Sequence, residues 1–131
     1  MSHGYAIVRG MTTRDVGHRG EEIAVQYLEA LGWAILDRNW HCRYGELDIV
    51  ALDREKVVTV VEVKYRSTTT FGGGAAAVTA EKLLKLRRAT ALWLRERREE
   101  LRERGLGQAA VAIDVIDVGP QGVRDHVVGC M

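Results

Sequence analysis

Residues 57–66 read VVTVVEVKYR, a β-branched run that carries a carboxylate, Glu62, and an ammonium, Lys64, two positions apart. A run of this kind belongs in a buried strand, where an unpaired charge is costly. Side chains two apart on a strand share a face, so Glu62 and Lys64 point the same way. Upstream, the stretch GELDIVAL (45–52) alternates, with Leu47, Ile49 and Ala51 expected on one face and Glu46, Asp48 and Val50 on the other. The polar turn DREK (53–56) between the two stretches is short enough for an antiparallel hairpin. Folding about that turn sets Asp48 opposite residue 60 or 62, and cross-strand or diagonal neighbours lie roughly 4.5–8 Å apart. Asp48, Glu62 and Lys64 can therefore converge. Two carboxylates that close repel unless a positive charge lies between them. Mg²⁺ or Mn²⁺ on oxygen ligands meets that need and supplies Lewis acidity, and a neighbouring lysine can orient or activate water. Hydrolysis of a phosphodiester uses this set of groups. The alternative for an acid and a lysine two apart in a strand is a structural salt bridge.

The elements that must position these groups can be read on either side. Ile23, Ala24, Tyr27, Leu28 and Leu31 recur at helical spacing, predicting a helix over 13–31 that Gly32 ends. Its early part contains Gly17, Gly20 and Glu21. Acidic residues favour a first turn for electrostatic reasons alone. Two glycines there cost stability, about 1 kcal/mol each against alanine, and point to a close approach by another backbone or a phosphate. WAILDRNW (33–40) reads as a strand and HCRYG (41–45) as a turn. After the hairpin comes a Gly/Ala loop, STTTFGGGAA (67–76), then a long helix over 79–104 in which Arg95 and Glu99 are spaced to pair. AAVAIDVIDV (109–118) is a further strand, and VRDHVV (123–128) a last one. The αβββαβ order predicts an α/β domain with a central mixed sheet flanked by helices.

The 131 residues suit one domain: an N-terminal arm at 1–12, the domain at 13–128 and a tail at 129–131. With 47% apolar residues it can bury a core, and with a net charge of only +1 any nucleic-acid surface must come from clustered cations. Cys42 and Cys130 make no disulfide framework, and they and the scattered histidines show no zinc spacing. No signal-like or membrane-spanning run is present, so the expected setting is the cytoplasm.

Taken together, GxxGExxAxxYLxxxG (17–32), RN (38–39), RYGELDIVA (43–51), VVEVKYR (60–66), FGG (71–73) and AVTAEKLLKL (77–86) resemble, in order and spacing, the YraN-type endonuclease-like family, UPF0102. That family is similar to archaeal Holliday-junction resolvases and, through them, to the restriction-endonuclease-like superfamily. The resemblance implies a restriction-endonuclease-like core with Glu21, Asp48, Glu62 and Lys64 as catalytic residues, the three carboxylates holding metal. Lys82 also fits the family pattern, and its two readings are a phosphate contact and a solvated helix lysine. The chain departs from the family pattern at Val60, where an aromatic residue is usual, and at Ala112, near which an arginine often stands.

Arg43 and Tyr44 in the turn before Gly45, together with Arg66 and Lys82, are the candidate nucleic-acid contacts. The leading expectation is a metal-dependent endonuclease acting on DNA, with branched or structured DNA as the substrate the resemblance suggests. Symmetric cutting of a junction would call for a homodimer. The alternatives are a non-catalytic nucleic-acid-binding module on the same fold, and an interaction protein without a nucleic-acid role.

Overall fold

The computed structural model describes residues 13–66 and 78–130, with side chains from residue 18 onward. The expected N-terminal arm and the Gly/Ala loop with its FGG motif lie outside the described residues. The elements are α1 (Thr13–Ala30), β1 (Ala34–Cys42), β2 (Gly45–Leu52), β3 (Val58–Tyr65), α2 (Ala80–Glu96), α3 (Arg98–Glu103), β4 (Val111–Gly119) and β5 (Gly122–Val127). The five strands form one mixed sheet in sequence order. β3 and β4 run parallel, and every other neighbouring pair is antiparallel. This is the expected α/β architecture, a mixed sheet with flanking helices consistent with a restriction-endonuclease-like core.

Both faces of the sheet are covered. Leu47, Val50, Val58, Val60 and Ile113 form a core with Leu86, Ala89 and Trp93 of α2 and Leu101 of α3. Ile49, Ala51, Val61, Ile116 and Val118 form a second core with Ala24, Val25 and Leu28 of α1. Two-sided burial explains why β3 and β4 read as near-continuous apolar runs.

Three details depart from the sequence reading. Leu47 belongs to the α2-side core, whereas Ile49 and Ala51 belong to the α1 side, so the simple alternation fails within β2. The slip falls beside Asn39 on β1, which adopts a positive φ of 50° between the pairs Arg38–Ile49 and Trp40–Leu47. The long helix is two helices, broken at Arg97. The break lets the Arg97 guanidinium reach Asp37 at 2.5 Å while Leu101 turns into the core. Glu99 then pairs with Arg102 instead of Arg95. Finally, Gly129 and Cys130 of the expected tail are bonded into the domain: Gly129 N–H donates to Asp114 and Cys130 N–H to the Ile113 carbonyl.

Gly20 has a packing explanation. A Cβ there would lie 3.0 Å from the Tyr65 Cβ, so the glycine lets α1 close onto the end of β3. That approach carries the next residue, Glu21, to the edge of the hairpin.

Candidate active site

The hairpin register runs from Leu52–Val58 to Ile49–Val61 and stops there, although both strands continue. Beyond that point β2 stays with β1 as far as Cys42–Gly45, and β3 stays with β4. The two halves of the hairpin therefore part at Asp48, next to Glu62. The Asp48 carboxylate takes over the missing ladder bond, its Oδ2 accepting from Val63 N–H at 2.9 Å. An opening in the middle of a sheet lets side chains from both faces meet, and this one gathers acids from three elements.

Glu21 from α1 and Glu46 and Asp48 from β2 each bring a carboxylate oxygen to within 4.8 Å of the others. Glu62, from β3, shares a hydrogen bond with Asp48. Glu62 is almost fully buried, and Lys82 and Lys64 approach its Oε2 at 2.6 and 3.6 Å. The expected metal set of Glu21, Asp48 and Glu62 is thus gathered around Asp48. The tightest oxygen triad, however, contains Glu46, and Glu62 is held by the lysines. Glu46 is not among the ligands expected from sequence, although its position two before Asp48 on the same strand is a usable signal.

Burial and mutual repulsion disfavour the charged forms of these acids. Burial pushes the Asp48 carboxyl up to about 9, helped by the Glu62 charge, the bond the two share and Glu21, and opposed by Val63 N–H. Burial likewise raises Glu21, with Glu46 adding to it and His18, Asn39 and Arg38 opposing. Glu21 Oε1 is buried with no hydrogen-bond partner. An orphaned carboxylate oxygen in an all-oxygen set suits a hard divalent cation such as Mg²⁺ or Mn²⁺. Burial lowers Lys64, with Glu62 pulling it up and the nearby Lys82 charge pulling it down. Burial would also lower Lys82, but the bond and charge of Glu62 outweigh this and its net shift is upward.

Around this centre, the candidate nucleic-acid contacts fall on two sides. Arg43 and Tyr44 form the β1–β2 turn, with the Arg43 guanidinium 5.0 Å from the Tyr44 ring centroid. Lys82 belongs to the carboxylate centre itself through Glu62. Arg66, just past β3, lies 3.9 Å from the buried Asp117 of β4. On β1, ahead of this turn, His41 pairs with Glu46 at 3.1 Å and Arg38 with Glu22 at 3.2 Å.

Comparison with known sequences now places the chain. A family model described as "Uncharacterised protein family UPF0102" matches residues 20–118. The chain belongs to the UPF0102 family. A UPF0102 protein of Mycobacterium sp. (strain KMS) is 49% identical over 108 residues, covering 82% of this chain and 75% of the relative. UPF0102 proteins of Mycobacterium bovis (strain BCG / Pasteur 1173P2) and Mycobacterium tuberculosis (strain ATCC 25177 / H37Ra) are 46% identical over 117 residues, 87% of this chain and 86% of each relative. The UPF0102 match spans all the residues of the carboxylate–lysine centre, from Glu21 to Lys82. No helix among the described residues is long and apolar enough to cross a membrane.

Proposed function

We propose that this UPF0102 protein is a divalent-metal-dependent endonuclease that hydrolyses phosphodiester bonds in DNA. One observation carries the reading: acids from α1, β2 and β3 converge where the hairpin parts, and one of their buried oxygens is left without a partner. Natural cores rarely retain such a cost unless it serves a function. Glu21, Glu46 and Asp48 would hold Mg²⁺ or Mn²⁺, and a bound ion would supply Lewis acidity at the scissile phosphate.

The chain's own groups do the remainder. Glu62 is kept in place by Lys82 and lies beside Asp48, so it is set to orient a water molecule at the edge of the cluster. Lys64, lowered by burial, can exchange a proton more readily than a surface lysine and can stabilise charge building on the phosphate oxygens. Arg43, Tyr44 and Arg66 would hold the flanking backbone. Branched or structured DNA is the proposed substrate class, with a homodimer supplying two cuts.

A second reading, a non-catalytic nucleic-acid-binding module, draws on the 2.6 Å Lys82–Glu62 contact, which neutralises one of the acids internally. Cleavage of labelled single-stranded, duplex, flapped and four-way-junction DNA, with Mg²⁺ or Mn²⁺ and with EDTA, separates the two. The nuclease reading expects metal-dependent cutting that is lost in Glu62→Ala and Lys64→Ala. Salt-sensitive binding without any cutting would favour the module.

A further inference from the structure

A groove of about 320 Å³ runs from the carboxylate centre between the β1–β2 turn and the start of α2. Its lining changes along its length. Glu46 and Lys82 stand where it meets the centre, and Lys85 edges it from α2. Leu86 and Ala89 form a floor that is part of the buried core, and the half-buried Tyr44 packs against the same core. The guanidinium of Arg88 lies 5.8 Å from the Tyr44 ring, adding to Arg43. Neither arginine has a carboxylate partner among the described residues. Glu81, the other acid in the lining, is paired with Lys85 at 3.7 Å.

An apolar, aromatic floor beneath a rim of cations suits a ligand that is flat and apolar on one side and anionic on the other. A nucleotide unit of a strand has that character, and the volume lies at the lower end of the range for small-ligand pockets. A base inside an intact duplex must first be unstacked, at a cost of roughly a few kcal/mol, whereas an unpaired base escapes much of that cost. Resting on the nuclease reading, we infer that the groove receives one unpaired nucleotide next to the scissile phosphate. Its base lies against Tyr44 and the Leu86–Ala89 floor, and its phosphate meets Lys85. The substrate class is then DNA with a single-stranded arm or flap at the cut, in preference to uninterrupted duplex.

The test uses the intact protein with Ca²⁺, and a duplex bearing a short flap with 2-aminopurine at its first unpaired position, against the same sequence fully paired. Stacking of one base predicts that the flap binds on the order of tenfold tighter, with the fluorophore quenched on binding. Tyr44→Ala should cost the flap about that factor and the duplex much less. Because Tyr44 also packs on the core, Lys85→Glu at an exposed position is the second variant, and it should weaken flap binding more than duplex binding. Equal losses for both DNAs in both variants, or no flap preference in the wild type, would overturn the inference. Terbium luminescence and Mg²⁺-dependent cleavage, followed in parallel, report on the carboxylate centre independently. Cleavage without flap preference sinks the groove alone; flap preference without metal binding or cleavage sinks the nuclease reading, and with it the scissile phosphate, and keeps the groove only as a binding site for an unpaired nucleotide.

Discussion

Asp114 and Asp48 are aspartates carried by central strands of one sheet, and their surroundings are built to opposite rules. Around Asp114, on β4, the neighbours are donors. His126 Nε2 lies 2.8 Å from its Oδ2 and Gly129 N–H donates to its Oδ1 at 2.9 Å, while the Tyr27 hydroxyl is hydrogen-bonded to His126 Nδ1 at 2.9 Å. Asp114 is 1% exposed, yet both of its oxygens are matched. Asp48, on β2, receives one backbone donor and is crowded by the acids Glu62, Glu46 and Glu21, with the Lys64 and Lys82 charges also within its field. The first cluster staples β5 and the C-terminal residues to α1 and serves the fold. The second pairs Glu62 with Lys82 and Lys64 but leaves Glu21 Oε1 without a hydrogen-bond partner, the imbalance on which the nuclease reading rests.

The widest separation between the two should appear in turnover. On the nuclease reading, Glu62→Ala, Asp48→Asn and Glu21→Gln are expected to reduce metal-dependent cleavage by about a thousandfold or more, since each would remove a ligand or an orienting group from the proposed centre. Circular dichroism should show the fold retained. His126→Gln, in the other cluster, is expected to leave cleavage at permissive temperature within a few-fold of wild type. If Glu62→Ala cuts at the wild-type rate, the centre has been misplaced.

Stability should move the other way. Asp114→Ala strands an imidazole and a backbone N–H in the interior, and losing one member of such a buried set costs about 3 kcal/mol. Urea unfolding measures this directly. Asp48→Asn keeps the shape but removes a carboxyl that must take up a proton on folding, because its charge is disfavoured by burial and by Glu62. It should stabilise the metal-free protein by about 1–2 kcal/mol, the usual size of a gain made at the expense of function. A destabilised Asp48→Asn would mean that the acids are already compensated.

The same contrast can be followed with pH. Between the ordinary carboxylate range and about 9, folded Asp48 holds a proton that the unfolded chain has released. The folded state thus binds more protons in that window, and its stability falls as pH rises, by at most about 1.4 kcal/mol per unit from this group. Raised Glu21 contributes in the same direction. The stability of metal-free protein is therefore expected to decline from pH 5 to 8, and Asp48→Asn should flatten that slope. A metal that binds the ionised carboxylates should displace the proton, so affinity should rise over the same window.

Much of this was legible in the residues. The β-branched runs and the three- and four-residue periodicity located the helices and strands, because two-sided burial leaves a strong pattern. The hairpin turn at 53–56 was short enough to bring Asp48 and Glu62 together. Other features needed the third dimension. The parting of β2 from β3 leaves no compositional mark, so Leu47 looked like a same-face partner of Ile49. The helix breaks at Arg97, a residue of good helix propensity, and its long-range bond to Asp37 is marked by no local spacing. Gly20 was visible as an anomaly, but its partner, Tyr65, lies 45 positions away. The Asp114–His126–Tyr27 chain joins residues from three elements, and no spacing rule connects them.

Glu46 gives the smallest effect and the finest test of how the centre is organised. Its carboxylate lies within reach of Glu21 and Asp48, yet one of its oxygens also meets His41 at 3.1 Å. If it is a ligand, Glu46→Gln removes a charged oxygen donor while keeping its size. Mn²⁺ or Tb³⁺ affinity should then fall by roughly tenfold, with Asp48 and Glu21 still in place. If it serves only to hold His41 and the β1–β2 turn, metal affinity should hold while DNA binding through Arg43 and Tyr44 weakens. His41→Gln discriminates further, since it spares the carboxylate and removes only the partner. A ligand role predicts wild-type metal affinity in His41→Gln beside a tenfold loss in Glu46→Gln, whereas matching metal affinities in the two variants would return Glu46 to the turn and leave the cation to Glu21, Asp48 and Glu62.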